Sequence, residues 1–289
     1  MIGEVVARLR LRDPLILLYH RVTRLANDRW SIAVTPAHFT EQMELLRQRA
    51  RVLPLSALDA TPARPNARSA TVVVTFDDGY ADNLYEALPV LQRFDIPATV
   101  FVATDAVDHA REFWWDDLER LVAPAEYDAV WARLRDIGAQ EREALLDALR
   151  DAAQVNSTPR RDYRPLRPDE LASLSRDTGI EIGAHTASHA RLAALTRASQ
   201  RAEIEAGRVA LQSIIDRPIE SFAYPFGRAG DYTAETIDLV REAGFTRACT
   251  NQAGRVTRSV DRFALPRLYV QDWNGDEFAA ALRDLGLRV

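Results

Sequence analysis

The chain contains no lysine: all 37 of its basic residues are arginines, set against 42 acids for a formal net charge of −5. These arginines are scattered among acids and form no basic stripe, which argues against a nucleic-acid binder. A single cysteine, Cys249, excludes an internal disulfide and leaves the redox compartment undetermined. The start, MIGEVVARLRLRDPLILLYH, has its apolar residues broken by Arg8, Arg10, Arg12 and Asp13. Neither a signal-peptide core nor a membrane span is legible there, so cytoplasmic residence is the default expectation. Internal repeats and low-complexity tracts are absent. What the chain does have is 289 residues with 47% hydrophobic content, enough for one α/β domain with a large core.

Short apolar runs of strand character occur at 15–20, 71–76, 98–103, 180–185, 221–225, 245–250 and 264–270. Helical periodicity lies between most of them, at 36–49, 83–94, 197–215 and 234–243. This alternation predicts a mainly parallel sheet, and about seven such units fit a barrel better than a small open sheet. The stretch 61–66 reads as a surface loop. One segment, about 105–165, has no strand signal, while 127–153 reads as a helix through Val130, Leu134, Ile137, Leu145, Leu146 and Leu149. It is too long for a connection and is expected to be a helical insertion in a single domain spanning 1–289. Its opening, Phe113-Trp114-Trp115-Asp116, is either a platform for sugar rings or an aromatic anchor onto the barrel.

Two strand ends carry unusual chemistry. TFDDGY (75–80) places Asp77 and Asp78 where a β-branched, doubly buried strand must surface, the position at which parallel α/β folds collect reacting groups. IEIGAHTASH (180–189) ends another apolar strand with His185 and His189, two of only five histidines. If the chain turns helical after His185, the four-residue spacing puts both imidazoles on one face. Two imidazoles with Asp78 as third ligand suit zinc or a similar divalent ion such as cobalt or nickel, with positions left open for water and substrate.

TFDDGY followed by HTASH closely resembles the NodB-type polysaccharide deacetylases, carbohydrate esterase family 4. Supporting stretches are LLYHRV (17–22), PAHFTEQMELLRQ (36–48), LPVLQRFDIPATVFV (88–102) and FAYPFG (222–227). The resemblance implies a distorted (β/α)7 barrel that removes N- or O-acetyl groups from sugars. It makes Asp77 the general base, and Asp78, His185 and His189 the metal ligands. One carboxylate then binds the cation while its neighbour handles the attacking water.

Two departures from the family pattern matter. Ala223 stands where the third motif often carries an arginine that orients the base, which makes Arg267 in LPRLYV the candidate substitute. Backbone N–H groups near Tyr224, Pro225 and Phe226 remain candidates for binding substrate and oxyanion. The family's LxxH motif supplies a histidine that protonates the leaving amine, yet no histidine follows His189. Leu17-Leu18-Tyr19-His20 has that form at the other terminus. Some deacetylases look circularly permuted in this way, so His20 is the candidate acid. The expected substrate is an N-acetylated sugar, oligosaccharide or glycan precursor. A deformylase or other sugar amidase, or an inactive sugar-binding protein, is the alternative.

Overall fold

The computed structural model describes residues 13–58, 70–109, 111–155 and 158–285. The arginine-broken start and the loop expected at 61–66 lie outside the described residues. In chain order the strands are β1 (Leu15–Tyr19), β2 (Arg21–Val22), β3 (Ala33–Val34), β4 (Ala50–Val52), β5 (Ala70–Phe76), β6 (Ala98–Val102), β7 (Ile180–Ala184), β8 (Ser221–Ala223), β9 (Arg247–Cys249) and β10 (Leu268–Tyr269). The helices are α1 (Pro36–Arg49), α2 (Leu88–Phe94), α3 (Thr104–His109), α4 (Trp114–Leu121), α5 (Tyr127–Arg135), α6 (Ala139–Ala153), α7 (Pro168–Leu174), α8 (Arg197–Ile215), α9 (Ala234–Glu242) and α10 (Gly275–Asp284).

Seven parallel strands curl in the order β10, β1, β5, β6, β7, β8, β9, the barrel expected from the alternating pattern and the distorted (β/α)7 form implied by the resemblance. Strand β1 pairs along its whole length with β5, Leu15 opposite Val72 through Tyr19 opposite Phe76. The short β4 also pairs with β5, and β2 with β3; these small pairings carry no alternating sequence signal. No continuous ladder joins β9 to β10. The chain between them closes the barrel through the Thr250 N–H to Leu265 O (2.8 Å) and the Arg267 N–H to Gln252 O (2.9 Å). The barrel strands β1, β5 and β6 are buried nearly throughout, as their continuous apolar runs require.

Several boundaries depart from the periodicity. The helix expected over 83–94 opens as a widened π-type turn, Asn83–Ala87, before α2. Pro89 sits at the junction and has no N–H to continue a regular ladder. The single helix expected over 127–153 is two, α5 and α6. Gly138, extended at φ −68° and ψ 160°, begins the second. The insertion has its own core, in which Phe113, Trp114, Trp115, Leu118, Tyr127, Leu134 and Leu146 pack with Tyr80 and Ala103. Because Tyr80 and Ala103 follow β5 and β6, the insertion sits over the carboxyl ends of the barrel strands.

Candidate active site

Successive side chains of a strand point to opposite faces, so two adjacent carboxylates cannot serve one pocket from regular β-structure. The chain escapes this at the end of β5. Asp77 keeps strand pairing through its N–H to Tyr19 O (2.9 Å). Asp78 then turns into the left-handed region at φ 74°, followed by Gly79 at φ 87°. That torsion favours glycine, and a side chain there would also crowd Val102 at 3.0 Å.

Asp77 faces Arg267, whose guanidinium grips it with two bonds of 2.7 Å, Nη1 to Oδ1 and Nη2 to Oδ2. Arg267 Nε donates to Thr250 O (2.8 Å), fixing the plane of the fork. Arg267 precedes β10. Leu268 stands in register, through Leu17, with Val74, so the arginine starts below the rim and reaches Asp77 by the length of its side chain.

Asp78 faces the histidines. Its Oδ1 lies 3.6 Å from His185 Nε2 and 3.4 Å from His189 Nε2. The chain after His185 is not helical, contrary to the turn expected from the spacing. Thr186 and His189 are both left-handed, at φ 62° and 55°, and the resulting loop brings the two rings to 4.8 Å. Helix α8 holds this loop. Gly207 lets the helix approach so closely that a Cβ there would lie 2.7 Å from the Thr186 carbonyl carbon and oxygen. Glu203 accepts from Ser188 N (2.9 Å) and Ser188 Oγ (2.7 Å), and its own carbonyl accepts from Ala187 N (3.0 Å).

The electrostatics divide the two carboxylates. Burial alone would raise the pKa of Asp77, but Arg267, seconded by His185, outweighs it and holds the group below its ordinary value. Asp78 is pushed well above its ordinary value by burial, then by Asp77 and Asp116. Burial lowers the pKa of His185 against the opposing pull of Asp77 and the Ala223 carbonyl, and burial, followed by the neighbouring His185 and Arg142, lowers that of His189, so both rings favour the neutral form. Asp78 Oδ1 and His189 Nδ1 are buried without a hydrogen-bond partner. His185 Nδ1 lies 2.7 Å from Ala223 O, to which it donates, so Nε2 carries the free lone pair.

These features fit a divalent cation. Metal–ligand bonds of about 2.0–2.2 Å at tetrahedral angles separate neighbouring ligand atoms by about 3.3–3.6 Å, close to the Asp78–histidine spacings. The ligand atoms of Asp78, His185 and His189 lie within 4.8 Å of one another, the one such cluster among the described residues. Neutral imidazoles offer the lone pairs a cation needs, and the raised pKa of Asp78 is that of a carboxyl whose ionised form lacks a compensating positive charge, which a cation would supply.

Comparison with known proteins bears on the same residues. The family model for polysaccharide deacetylases matches residues 64–248. The chain belongs to the polysaccharide deacetylase family. YxkH of Bacillus subtilis (strain 168), classed by name with polysaccharide deacetylases, is 22% identical over 215 residues, 74% of this chain. The match spans 57% of that relative's length. Among solved structures, the deacetylase PplD of Streptococcus pyogenes, determined with acetate, superposes with a TM-score of 0.65 at 17% identity, covering 93% of this chain and 97% of its own. IcaB of Ammonifex degensii gives 0.62 at 20% identity, covering 93% and 96%. At such identities the superpositions carry the fold. Asp77, Asp78, His185 and His189 fall inside the matched family segment, whereas His20 and Arg267 fall outside it.

A cavity of about 590 Å³ opens over these residues in this polysaccharide deacetylase domain. His20, Asp77, Asp78, His185, His189 and Arg267 all line it. Burial, opposed by Asp77, lowers the pKa of His20 to about 4. Of the residues expected to touch sugar, Trp115 and Phe226 line the cavity, while Trp114, Tyr224 and Pro225 are not in its wall. Trp114 is packed in the insertion core, and Tyr224 is buried with its hydroxyl donating to Phe263 O (3.0 Å). Tyr224 N–H donates to Cys249 O and Pro225 has no N–H, which leaves Phe226 as the available backbone donor of that stretch. Trp30, Trp131 and Tyr269 also line the cavity. Sequence reasoning missed them because an isolated aromatic gives no local sign of facing a site. No described helix is long and apolar enough to cross a membrane.

Proposed function

We propose that this domain hydrolyses an acetamido group on a sugar, with Asp78, His185 and His189 holding a divalent metal ion, zinc foremost. The observation that carries this reading is the buried Asp78–His185–His189 cluster beside a separately oriented, ionised Asp77. When bound, the ion supplies Lewis acidity toward the acyl carbonyl and makes water easier to deprotonate.

The chain supplies the rest. Asp77 Oδ accepts the proton from the attacking water, a role that requires it ionised near neutral pH, as Arg267 keeps it. Arg267 fills the orienting role that Ala223 leaves vacant, acting on the base from just before β10 instead of from β8. Phe226 N–H is the candidate donor toward the carbonyl oxygen as negative charge develops there. His20, on the cavity wall after β1, delivers a proton to the departing nitrogen. With a pKa of about 4 it rests neutral, so the proton it delivers is the one Asp77 has taken from water, passed on within the cavity as the nitrogen departs.

The adjacency of β1 to β10 in the sheet supports placing the acid at the first strand, as a permuted barrel would have it. Incubating the zinc-loaded protein with N-acetylglucosamine oligomers, and in parallel with N-formyl and O-acetyl sugars, tests the reading by the acid released. Acetate from the N-acetyl compounds supports it. Formate alone transfers the reading to a deformylase, and release of neither acid from any sugar, with metal bound, favours a sugar-binding protein.

A further inference from the structure

The two histidines of the proposed metal site are held by different means. His185 is fixed through its own ring, Nδ1 to Ala223 O at 2.7 Å. His189 Nδ1 has no such partner. Its ring is wedged between Trp115, 4.5 Å away, and Phe226, 4.7 Å away, on a left-handed residue. What fixes its backbone is the preceding residue. Ser188 has its N–H and hydroxyl bound by Glu203 and its carbonyl bound by Arg142 Nη2 at 2.6 Å.

Arg142 belongs to α6 of the insertion and is buried, at 4% exposure. Its guanidinium also lies 5.2 Å from the ring centre of Trp114. Of the four residues that hold His189 or the residue before it, Trp115, Phe226, Glu203 and Arg142, two, Trp115 and Arg142, come from the segment between β6 and β7. We infer that the helical insertion is part of the metal site, and that Arg142 is a positioning residue that sets the geometry of His189 through the Ser188 carbonyl. The inference rests on the metal reading of Asp78, His185 and His189.

A carbonyl–guanidinium bond is directional, so its loss frees the peptide between Ser188 and His189 to rotate in a conformation the residue disfavours. Contacts outside the ligand shell that orient a ligand affect metal affinity by about 10–100-fold.

The test is metal affinity of the folded protein, measured by competition with a chromophoric chelator, together with the visible absorption spectrum of the cobalt-substituted form. Arg142→Met keeps the apolar volume and removes the donors; Arg142→Lys returns one donor and the charge. Arg142→Met is expected to weaken zinc binding about 10–100-fold and alter the cobalt bands, with Arg142→Lys between it and the wild type. Glu203→Gln, on α8 and more exposed, gives a second arm should Arg142→Met fail to fold, and is expected to weaken binding in the same direction. Metal-free melting curves separate a packing role. Variants that melt lower without EDTA-sensitive differences, yet bind zinc as the wild type does, overturn the inference while leaving the proposed function standing. A wild-type protein that binds no zinc overturns both.

Discussion

Replacing Arg267 by methionine removes one side of a buried, two-pronged ion pair whose side chains are 0% and 5% exposed. Deleting one partner of such a pair leaves an uncompensated charge and costs about 3–5 kcal/mol. Against a typical total of about 5–15 kcal/mol, the loss is large and measurable. The pH dependence gives the sharper signature. In the wild type, Asp77 has a pKa below the unfolded value, so its contribution is present above about pH 4 and is lost as pH falls through the folded pKa. Without Arg267, burial dominates and the folded pKa rises above the unfolded one. The ionised carboxylate then opposes folding at neutral pH, and the opposition fades on acidification. Urea denaturation of the metal-free proteins at pH 7 and pH 5 should therefore show a gap between wild type and Arg267→Met that narrows at pH 5. The acid limb of the activity profile should move to higher pH. Arg267→Lys, which restores charge without the fork, should fall between them. A gap below about 1 kcal/mol, or one that does not change with pH, would refute the assigned coupling.

His20→Ala should keep its metal, lose most activity on an N-acetyl sugar and retain much more on an activated aryl acetate, whose leaving group departs without protonation; equal losses on the two substrates would make His20 structural. Gly207→Ala drives a methyl group into the Thr186 backbone and should cost about 1–3 kcal/mol while weakening metal binding; thermal melts and a zinc titration check both effects. Trp114→Ala should lower stability by about 3–5 kcal/mol with KM unchanged in the surviving folded fraction, whereas Trp115→Ala, which strips a wall from His189, should also reduce activity on sugar and aryl ester alike.

The chemistry-bearing strand ends were legible because the signal is local: a doubly buried apolar run that stops at charged residues has few explanations. The same is true of α1 and α8, whose observed limits match the periodicity. Where the periodicity misled, a backbone torsion was responsible. Ile137 continues the apolar spacing from α5 into α6 and hides the break at Gly138. His185 and His189 have the spacing of a helix face but are joined by a loop with two left-handed residues. Arg267 was visible only as a gap to be filled, since Ala223 offers no guanidinium. Arg142 and Glu203 could not be read at all, because they act from 46 and 15 residues away on one residue, Ser188, of the His185–His189 loop.

The central claim is a division of labour between neighbouring carboxylates, and one paired measurement addresses it directly. Bound zinc and acetate released from an N-acetylglucosamine oligomer would be determined on the same preparations of wild type, Asp78→Ala and Asp77→Asn. Wild type should carry one zinc and release acetate, and Asp78→Ala should lose both. Asp77→Asn should keep its zinc while its rate falls by about two to four decades. Zinc lost from Asp77→Asn, or zinc and acetate release retained by Asp78→Ala, would contradict the account.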